Sequence, residues 1–227
     1  MSIGAAADIA GAIRAVRERV EQACDRAGRP SGEVTIIAAA KTMPVTAVAA
    51  AVEAGIGHIG ENRAQEATEK IDAARQLGIE PTWHFIGHLQ RNKARQAARY
   101  FSVIHSIDSE RILREVDRHA AGPLECFIQV NVSGELQKHG VPPREAPGIL
   151  RAAESCRNAR ITGLMTIAPR VEHADEARPC FRELRALAGN LGLLNLSMGM
   201  TEDFETAIEE GATHVRIGRA IFGERST

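Results

Sequence analysis

A single lysine follows an apolar run near the start of the chain. The run at 34–40 (VTIIAAA) is apolar or small almost throughout, which predicts a parallel strand covered on both faces. Lys41 ends this run, and Pro44 suits the first turn of a following helix. A lysine held away from water can lose its proton and form a Schiff base with an aldehyde. A strand-end lysine that merely reaches into solvent is the alternative that the spacing leaves open.

Two glycine-containing stretches near the end of the chain could bind a phosphate. The stretch at 197–201 (SMGMT) joins the predicted seventh strand to a helix, and 215–219 (VRIGR) follows from the eighth. Barrel enzymes often hold a phosphate between these two loops, although an ordinary glycine turn explains either stretch by itself. If Lys41 reacts with an aldehyde and these stretches bind a phosphate, the ligand is a phosphorylated aldehyde. Pyridoxal 5'-phosphate fits this description, and so does the sugar phosphate of an aldolase.

Other polar residues carry weaker signals. Asn62 lies at a predicted helix start, where it could cap the helix or bind a ligand hydroxyl. His84 and His88 are four residues apart, but they flank a strand end rather than share a helix face, so a metal pair is not favoured. The basic stretch at 90–99 is explained by a solvated helix face.

The elements that must position these residues alternate regularly. Eight short strands are predicted, each except the last followed by a helix, after a first helix over residues 5–28. Helices are expected over 91–100, 142–156 and 201–210, and Asp175 is expected to cap another. Such alternation predicts a single-domain (β/α)8 barrel of the TIM type over residues 1–227, with an extra amino-terminal helix. An open doubly wound sheet is the alternative, but no Gly-x-Gly-x-x-Gly follows the first strand.

The barrel prediction gathers the polar candidates at one end of the molecule. Lys41, Asn62, Asn131, Ser197 and Arg216 all fall at carboxyl ends of predicted strands, which is where barrel sites form.

Composition excludes several function classes. The net charge of -1 argues against a dominant role in binding nucleic acid or a membrane surface. We find no apolar run of transmembrane length and no signal-peptide pattern. Four widely spaced cysteines without a CxxC pair predict buried thiols in a reducing compartment. We therefore expect a cytoplasmic protein.

Taken together, these motifs resemble the pyridoxal-phosphate homeostasis protein family. The resemblance runs from about Val34 to Gly223, so it covers nearly the whole chain. It is carried by residues 40–42 (AKT) with Pro44, 60–62 (GEN), 83–93 (WHFIGHLQRNK), 130–133 (VNVS) with Lys138 and Gly140, 163–165 (GLM), 196–200 (LSMGM), 215–218 (VRIG) and 221–223 (IFG).

The resemblance implies a barrel like the amino-terminal domain of alanine racemase, with pyridoxal phosphate held as an internal aldimine on Lys41. It also implies that Arg216 faces the pyridine nitrogen and that Asn62 lies near the ring. The phosphate-binding residues implied are Ser197, Gly218 and the backbone at Arg219. Arg219 departs from the small hydroxyl residue expected there, so only its backbone role carries over.

The function implied is buffering or delivery of the cofactor, without established catalysis. An arginine at the pyridine nitrogen keeps that nitrogen unprotonated and weakens the ring as an electron sink. Racemisation needs a second base, a tyrosine from a further domain; the chain ends at Thr227, and its single tyrosine, Tyr100, lies on a helix before the fourth strand. A low-activity racemase or lyase and an aldolase-like enzyme are the alternatives.

The expected partners follow from this function. They are pyridoxal phosphate itself and the apo-enzymes that depend on it. A closed barrel without an evident apolar stripe is expected to be a monomer. Lys138 is a second amine that could take up an aldehyde, although a solvated loop lysine explains it as well.

Overall fold

Eight parallel strands, paired in chain order, close into a barrel between the first strand and the last. The computed structural model describes residues 3–135 and 137–223. The strands are β1 Thr35–Ala39, β2 His58–Glu61, β3 Thr82–Phe85, β4 Val103–Ile107, β5 Leu124–Gln129, β6 Ala159–Met165, β7 Asn195–Ser197 and β8 His214–Ile217.

Helices follow the strands and form the outer layer. They are α1 Ile3–Ala27, α2 Val45–Glu53, α3 Ala64–Gln76, α4 Ala94–Tyr100, α5 Glu110–His119, α6 Ala146–Ala153, α7 Arg178–Asn190, α8 Phe204–Glu209 and α9 Arg219–Phe222. The helix α1 precedes the barrel and packs against α2, α8 and α9. The predicted (β/α)8 barrel with an extra amino-terminal helix is therefore confirmed.

Two separate apolar cores stabilise the barrel. The large core lies between the sheet and the helices, and it includes the buried stripe Ile13, Val16 and Val20 of α1. A small core of Val103, Phe127 and Met165 fills the barrel interior. Because side chains alternate between the two faces of a strand, residues two apart from these also point inward. Burial on both faces explains why the strands read as nearly continuous apolar runs.

The seam between β1 and β8 decides which site residues become neighbours. Ile37 of β1 lies opposite Arg216 of β8, and Ala38 lies opposite Ile217. On the other side of β1, Ala39 lies opposite Gly60 of β2. The carboxyl ends of β8, β1 and β2 therefore lie side by side.

Several predicted boundaries are wrong in informative ways. The last strand is followed by a helix, α9, and the predicted helices at 91–100 and 142–156 begin with 3-10 turns. The expected helix at 201–210 starts only at Phe204, because the Asp203 carboxylate accepts the N–H of Met200 (2.6 Å) and holds 201–203 in a turn. Asp175 is not a cap: it lies inside a 3-10 turn that His173 and Glu176 cap.

In the part of the chain that the structure describes, the helices are too short or too polar to cross a membrane.

Candidate functional site

Lys41 lies in a tight turn just beyond β1. The ladder continues as far as the N–H of Ala40, which donates to Gly60 O at 2.9 Å, and Met43 then closes a turn back onto Ala40 O. Thr42 has φ = 67°, in the left-handed region that β-branched residues avoid. Such strained backbone clusters at functional sites. Lys41 is exposed at the rim of the barrel.

A buried ion pair braces the residue before Lys41. Lys70 of α3 pairs with Glu61 of β2, whose side chain is only 2% exposed. The same ammonium donates to Ala40 O at 2.8 Å. Burial raises the pKa of Glu61, and the charge and hydrogen bond of Lys70 act against that rise. The pair thus ties α3 to the ends of β1 and β2.

Arg216 is a buried cation at the end of β8. Its guanidinium donates to Ser197 O (2.8 Å), Ser197 Oγ (2.6 Å) and Thr166 O (2.8 Å). Burial lowers the pKa of Arg216 to about 10, and the Asp203 carboxylate opposes this, so the group stays charged at neutral pH. Within residues 3–135 and 137–223, no carboxylate lies within ion-pair distance of this guanidinium.

The loop after β7 is shaped by one glycine and one carboxylate. Gly199 has φ = 90°, and a Cβ there would come within 2.6 Å of Ala207 Cβ and 2.9 Å of Phe204 Cα. Asp203 is buried, which raises the pKa of its carboxyl group, while the Met200 N–H and Arg216 lower it. The loop backbone therefore packs closely onto α8.

Gly218 lies between β8 and α9, next to β1. A Cβ at Gly218 would lie 3.3 Å from Ala39 O, so this loop touches the strand that leads to Lys41. Arg219 is exposed, and its guanidinium donates to Glu202 (2.8 Å). The Arg219 side chain is thus engaged with the neighbouring loop, and the backbone role of Arg219 in binding stays a prediction.

Asn62 and Gly87 are in close contact just beyond β2 and β3. Asn62 is partly buried, and a Cβ at Gly87 would lie only 2.1 Å from Asn62 O. Asn131 lies just beyond the carboxyl end of β5 and organises its own loop. Its side-chain amide donates to Glu135 O (2.9 Å) and accepts from the N–H of Gly134 (3.1 Å).

Lys138 lies in the same loop and is held there. It pairs with Glu135 (2.5 Å) and also contacts Ser133 Oγ and Ile167 O (both 3.4 Å). This network favours the interpretation of Lys138 as a loop lysine.

Sequence reasoning missed a row of histidines inside the barrel. His58 Nδ1 lies 2.9 Å from His84 Nε2, His84 Nδ1 lies 2.9 Å from His105 Nε2, and His105 Nδ1 lies 2.8 Å from Ser197 Oγ. We call His58, His84 and His105 the histidine file. It runs from the partly exposed His58, at the start of β2, to the end of β7 beside Arg216.

The histidine file is neutral. Burial lowers the pKa of His84 and His105 well below the usual range, and nearby His214 adds to the effect on both. Burial also lowers the pKa of His58. His105 stacks on Phe127 with ring centroids 4.4 Å apart, which places the file in the interior core. The available signal was that all three histidines fall in predicted strands, but only the register brings them together.

The two histidines considered as a metal pair are not brought together. His88 stacks on His139 (3.7 Å) and pairs with Asp108 (3.3 Å), outside the file. No group of three His, Cys, Asp or Glu side chains in the described ranges could hold a metal ion.

A second missed residue is Gln129, at the carboxyl end of β5. Its Nε2 donates to His139 O (3.2 Å), whereas its buried Oε1 has no hydrogen-bond partner within the described ranges. Buried acceptors are normally satisfied, so Gln129 Oε1 is a group that a ligand donor could satisfy.

The structure therefore gathers an amine, a buried cation and glycine-lined backbone at one rim. Lys41 can react with a carbonyl group, Arg216 can donate to an acceptor, and the loops after β7 and β8 can approach an anion. The roles of Lys41, Asn62, Ser197, Arg216, Gly218 and Arg219 in binding stay predictions.

Known proteins resemble this chain in both sequence and fold. The family model described as alanine racemase, N-terminal domain, matches residues 12–226. The pyridoxal phosphate homeostasis protein of Aquifex aeolicus is 41% identical over 219 residues, which are 92% of this chain and 95% of the relative. That of Pseudomonas aeruginosa is 43% identical over 223 residues, 96% of each chain.

A solved structure extends the comparison to the coordinates. PipY of Synechococcus elongatus PCC7942, solved with PLP bound, is 34% identical, with a TM-score of 0.82 over 95% of this chain and all of that one. Because the matches span nearly the full length, the likeness concerns the whole barrel. The chain belongs to the alanine racemase N-terminal domain family and, within it, to the pyridoxal phosphate homeostasis proteins.

Proposed function

We propose that this protein binds pyridoxal 5'-phosphate and serves in homeostasis of that cofactor, as a buffer or carrier. One observation carries the proposal: Arg216 is a buried cation that lacks a carboxylate in contact within the described ranges, one strand away from the lysine. A buried charge without an ion-pair partner in contact is costly, so an anionic ligand at this rim would stabilise it. The names of the relatives, and the PLP bound to PipY, support the same ligand.

Each residue has a definite part in this proposal. Lys41 supplies the amine that attaches the aldehyde carbon. Ser197, Gly218 and the backbone N–H of Arg219 would hold the phosphate, and Asn62 would lie near the ring. When bound, the cofactor supplies an aldehyde and a conjugated ring that can act as an electron sink. We treat residues 1–227 as one cofactor-binding domain.

The polar contacts of the site favour holding the cofactor over catalysis. Arg216 would donate to the ring nitrogen without giving up its own proton, which would leave the ring a weak electron sink. Tyr100, the chain's one tyrosine, ends α4 just before β4 begins, at the opposite end of the barrel from Lys41. Arg75 lies over its ring (5.7 Å).

Delivery to other proteins belongs to the same proposal. Apo-enzymes that need pyridoxal phosphate are the proposed recipients, and a monomer is the proposed state. The large apolar side chains exposed in the described ranges (Leu77, Ile167, Leu194 and Met200) occupy four separate loops, which supports the monomer.

The spectrum of the purified protein with pyridoxal phosphate tests this function. We expect the absorbance band of a lysine-linked cofactor, and its loss in Lys41→Ala. Lys138→Ala is the matched control, since Lys138 is another lysine of this face and should leave the band intact. A band that persists in Lys41→Ala, or disappears in Lys138→Ala, would contradict the assignment.

Amino acids in deuterated water test the non-catalytic part. We expect no exchange at the α carbon across a panel of amino acids. The alternative is a low-activity racemase or lyase, which the racemase-like fold favours. Exchange by the wild type that Lys41→Ala abolishes would establish that alternative.

A further inference from the structure

We propose that the histidine file takes two tautomeric arrangements and that an anion bound at Ser197 selects between them. The inference rests on the proposed function, because the anion is the phosphate of the cofactor. The Ser197 hydroxyl thereby donates its hydrogen bond either to His105 of the file or to the ligand, depending on whether the anion is bound.

The first step follows from the chemistry of neutral imidazole. Each neutral histidine donates from one ring nitrogen and accepts at the other. His58, His84 and His105 are joined nitrogen to nitrogen by contacts of 2.9 Å. A donor must therefore meet an acceptor at each contact, so the three rings must all point the same way along the file.

The second step fixes the direction in the free protein. Two groups lie against Ser197 Oγ: the Arg216 guanidinium at 2.6 Å and His105 Nδ1 at 2.8 Å. A guanidinium can only donate, and His105 Nδ1 is the other hydrogen-bond partner of Ser197 Oγ among the described residues, so the hydroxyl proton goes to His105 Nδ1. The positive charge of Arg216 also favours the arrangement in which His105 Nδ1 presents its lone pair, rather than a proton, toward Ser197. Without ligand, all three histidines therefore carry their proton on Nε2.

The third step reverses the direction when an anion binds. A phosphate dianion only accepts hydrogen bonds, so the hydroxyl group of Ser197 must donate to it. His105 Nδ1 then faces an oxygen that no longer donates to it, and it must become the donor. Since the rings are linked, His84 and His58 follow, and all three carry their proton on Nδ1.

The protons balance during this reversal. Ser197 passes its proton to His105 Nδ1 and takes up the proton of a bound phosphate monoanion, whose pKa near 6 allows this. His105 Nε2 passes a proton to His84 Nδ1, and His84 Nε2 passes one to His58 Nδ1. His58 Nε2 releases a proton to water at the amino-terminal end of the barrel. One proton enters and one leaves, so the file stays neutral.

The device solves a problem of buried polar groups. Ser197 and His105 are fully buried, and an unpaired donor or acceptor there would be costly. A serine that can turn its proton toward the ligand without leaving His105 unpaired avoids that cost in both states.

Nitrogen-15 NMR of the protein labelled at histidine tests the proposal, since the two tautomers give distinct ring-nitrogen shifts. Pyridoxal 5'-phosphate and pyridoxal are the matched probes, because both carry the aldehyde and only the first carries a phosphate. We expect Nε2–H signals for the file in the free protein and with pyridoxal, and Nδ1–H signals with pyridoxal phosphate. His214 is the internal control: it bonds to Thr213 (2.8 Å) instead of the file, and its signals should not switch.

The outcomes separate this inference from the proposed function. If the absorbance band shows pyridoxal phosphate bound while the file signals stay unchanged, the inference is overturned and the function stands. If no pyridoxal phosphate binds, the function fails, and millimolar inorganic phosphate replaces it as the probe. A switch with phosphate then supports the inference, and no switch overturns it.

Ser197→Ala provides the decisive variant. It removes the hydroxyl that links ligand and file while keeping the small side chain at the end of β7. The absorbance band should remain, with affinity about tenfold weaker from the lost hydrogen bond to a charged group, and the tautomers should no longer respond. A switch that persists in Ser197→Ala would show that the file does not read the anion through this residue.

Discussion

The backbones of Gly87 and Asn62 lie so close together that Gly87 cannot carry a side chain without moving Asn62. The missing side chain at Gly87 lets the carbonyl oxygen of Asn62 occupy the space where a Cβ would lie. Backbone on both sides cannot give way as a flexible side chain would. The glycine therefore sets the position of the loop that flanks Lys41.

Gly87→Ala is expected to destabilise the protein by about 2 kcal/mol or more and to weaken cofactor binding, because Asn62 must move. Urea unfolding and a pyridoxal phosphate titration measure the two effects. Gly57→Ala is the control, since a Cβ there meets nothing within 4 Å, and it should change stability by less than about 0.5 kcal/mol. Equal effects of the two substitutions would contradict this account of Gly87.

At this scale the sequence predicted which residue types gather at the rim, but not what holds them. The placement of Lys41 and Arg216 at the rim follows from their positions at the carboxyl ends of strands. The surroundings of Arg216 do not, because Ser197 and Thr166 reach it from two other strand ends. Such contacts depend on how neighbouring strands are staggered, which no local pattern encodes.

Among the elements, α3 has a role that its amphipathic pattern does not reveal. Its lysine, Lys70, crosses to Glu61 on β2 and to Ala40 after β1. A buried pair of this kind contributes little net stability but is costly to break, since the remaining charge stays buried. The helix thereby fixes the turn that carries Lys41.

Lys70→Met is expected to destabilise the protein by about 3–5 kcal/mol, because it leaves Glu61 buried and unpaired. The double variant Glu61→Leu, Lys70→Met should recover much of this loss, since it removes both charges. Chemical denaturation of the wild type, both single variants and the double variant gives the coupling. A cost below about 1 kcal/mol for Lys70→Met would mean that the pair is no brace.

The histidine file marks the limit of sequence reasoning about elements. Its contacts join residues 26, 21 and 92 positions apart, on four different strands. Each histidine alone is compatible with an ordinary strand residue. The strand order was predictable from the alternation, but the relative height of the side chains follows from the barrel's stagger, which the sequence leaves open.

For the whole molecule, the buried histidines couple folding to pH. Burial lowers the pKa of His58, His84, His105 and His214 in the folded state, to about 4 for His214. Below the unfolded value near 6.5, the unfolded chain binds protons that the folded protein refuses. Stability is therefore fully present above about pH 6.5 and falls as the pH drops toward the folded pKa values.

His214→Gln is expected to reduce the slope of the unfolding free energy against pH. The reduction corresponds to at most one bound proton, or about 1.4 kcal/mol per pH unit, in the acidic part of the range. Urea unfolding between about pH 5.5 and 7.5 measures the slope for both proteins, above the range where most carboxyl groups titrate. An unchanged slope in the variant would show that His214 does not take part in this linkage.

The fold as a whole was the most predictable level. Eight apolar strands separated by amphipathic helices leave few alternatives to a closed barrel, because crossovers are right-handed and each strand must be buried on both faces. The exact ends of helices were harder to predict from the sequence. The turn at 201–203 is an example, since one carboxylate decides where α8 begins.

The pairing of β1 with β8 affects when the proposed site forms during synthesis and how long the protein resists proteolysis. Lys41 follows β1 and Arg216 lies in β8, so both are brought to one rim only when the first and last strands pair. A chain still under synthesis therefore lacks the complete proposed site. A ligand held across the seam stabilises the closed barrel by mass action and protects it from proteases that attack opened chains. A proteolytic half-life that lengthens with added cofactor is the expected sign. The supply of cofactor would then set how much carrier survives.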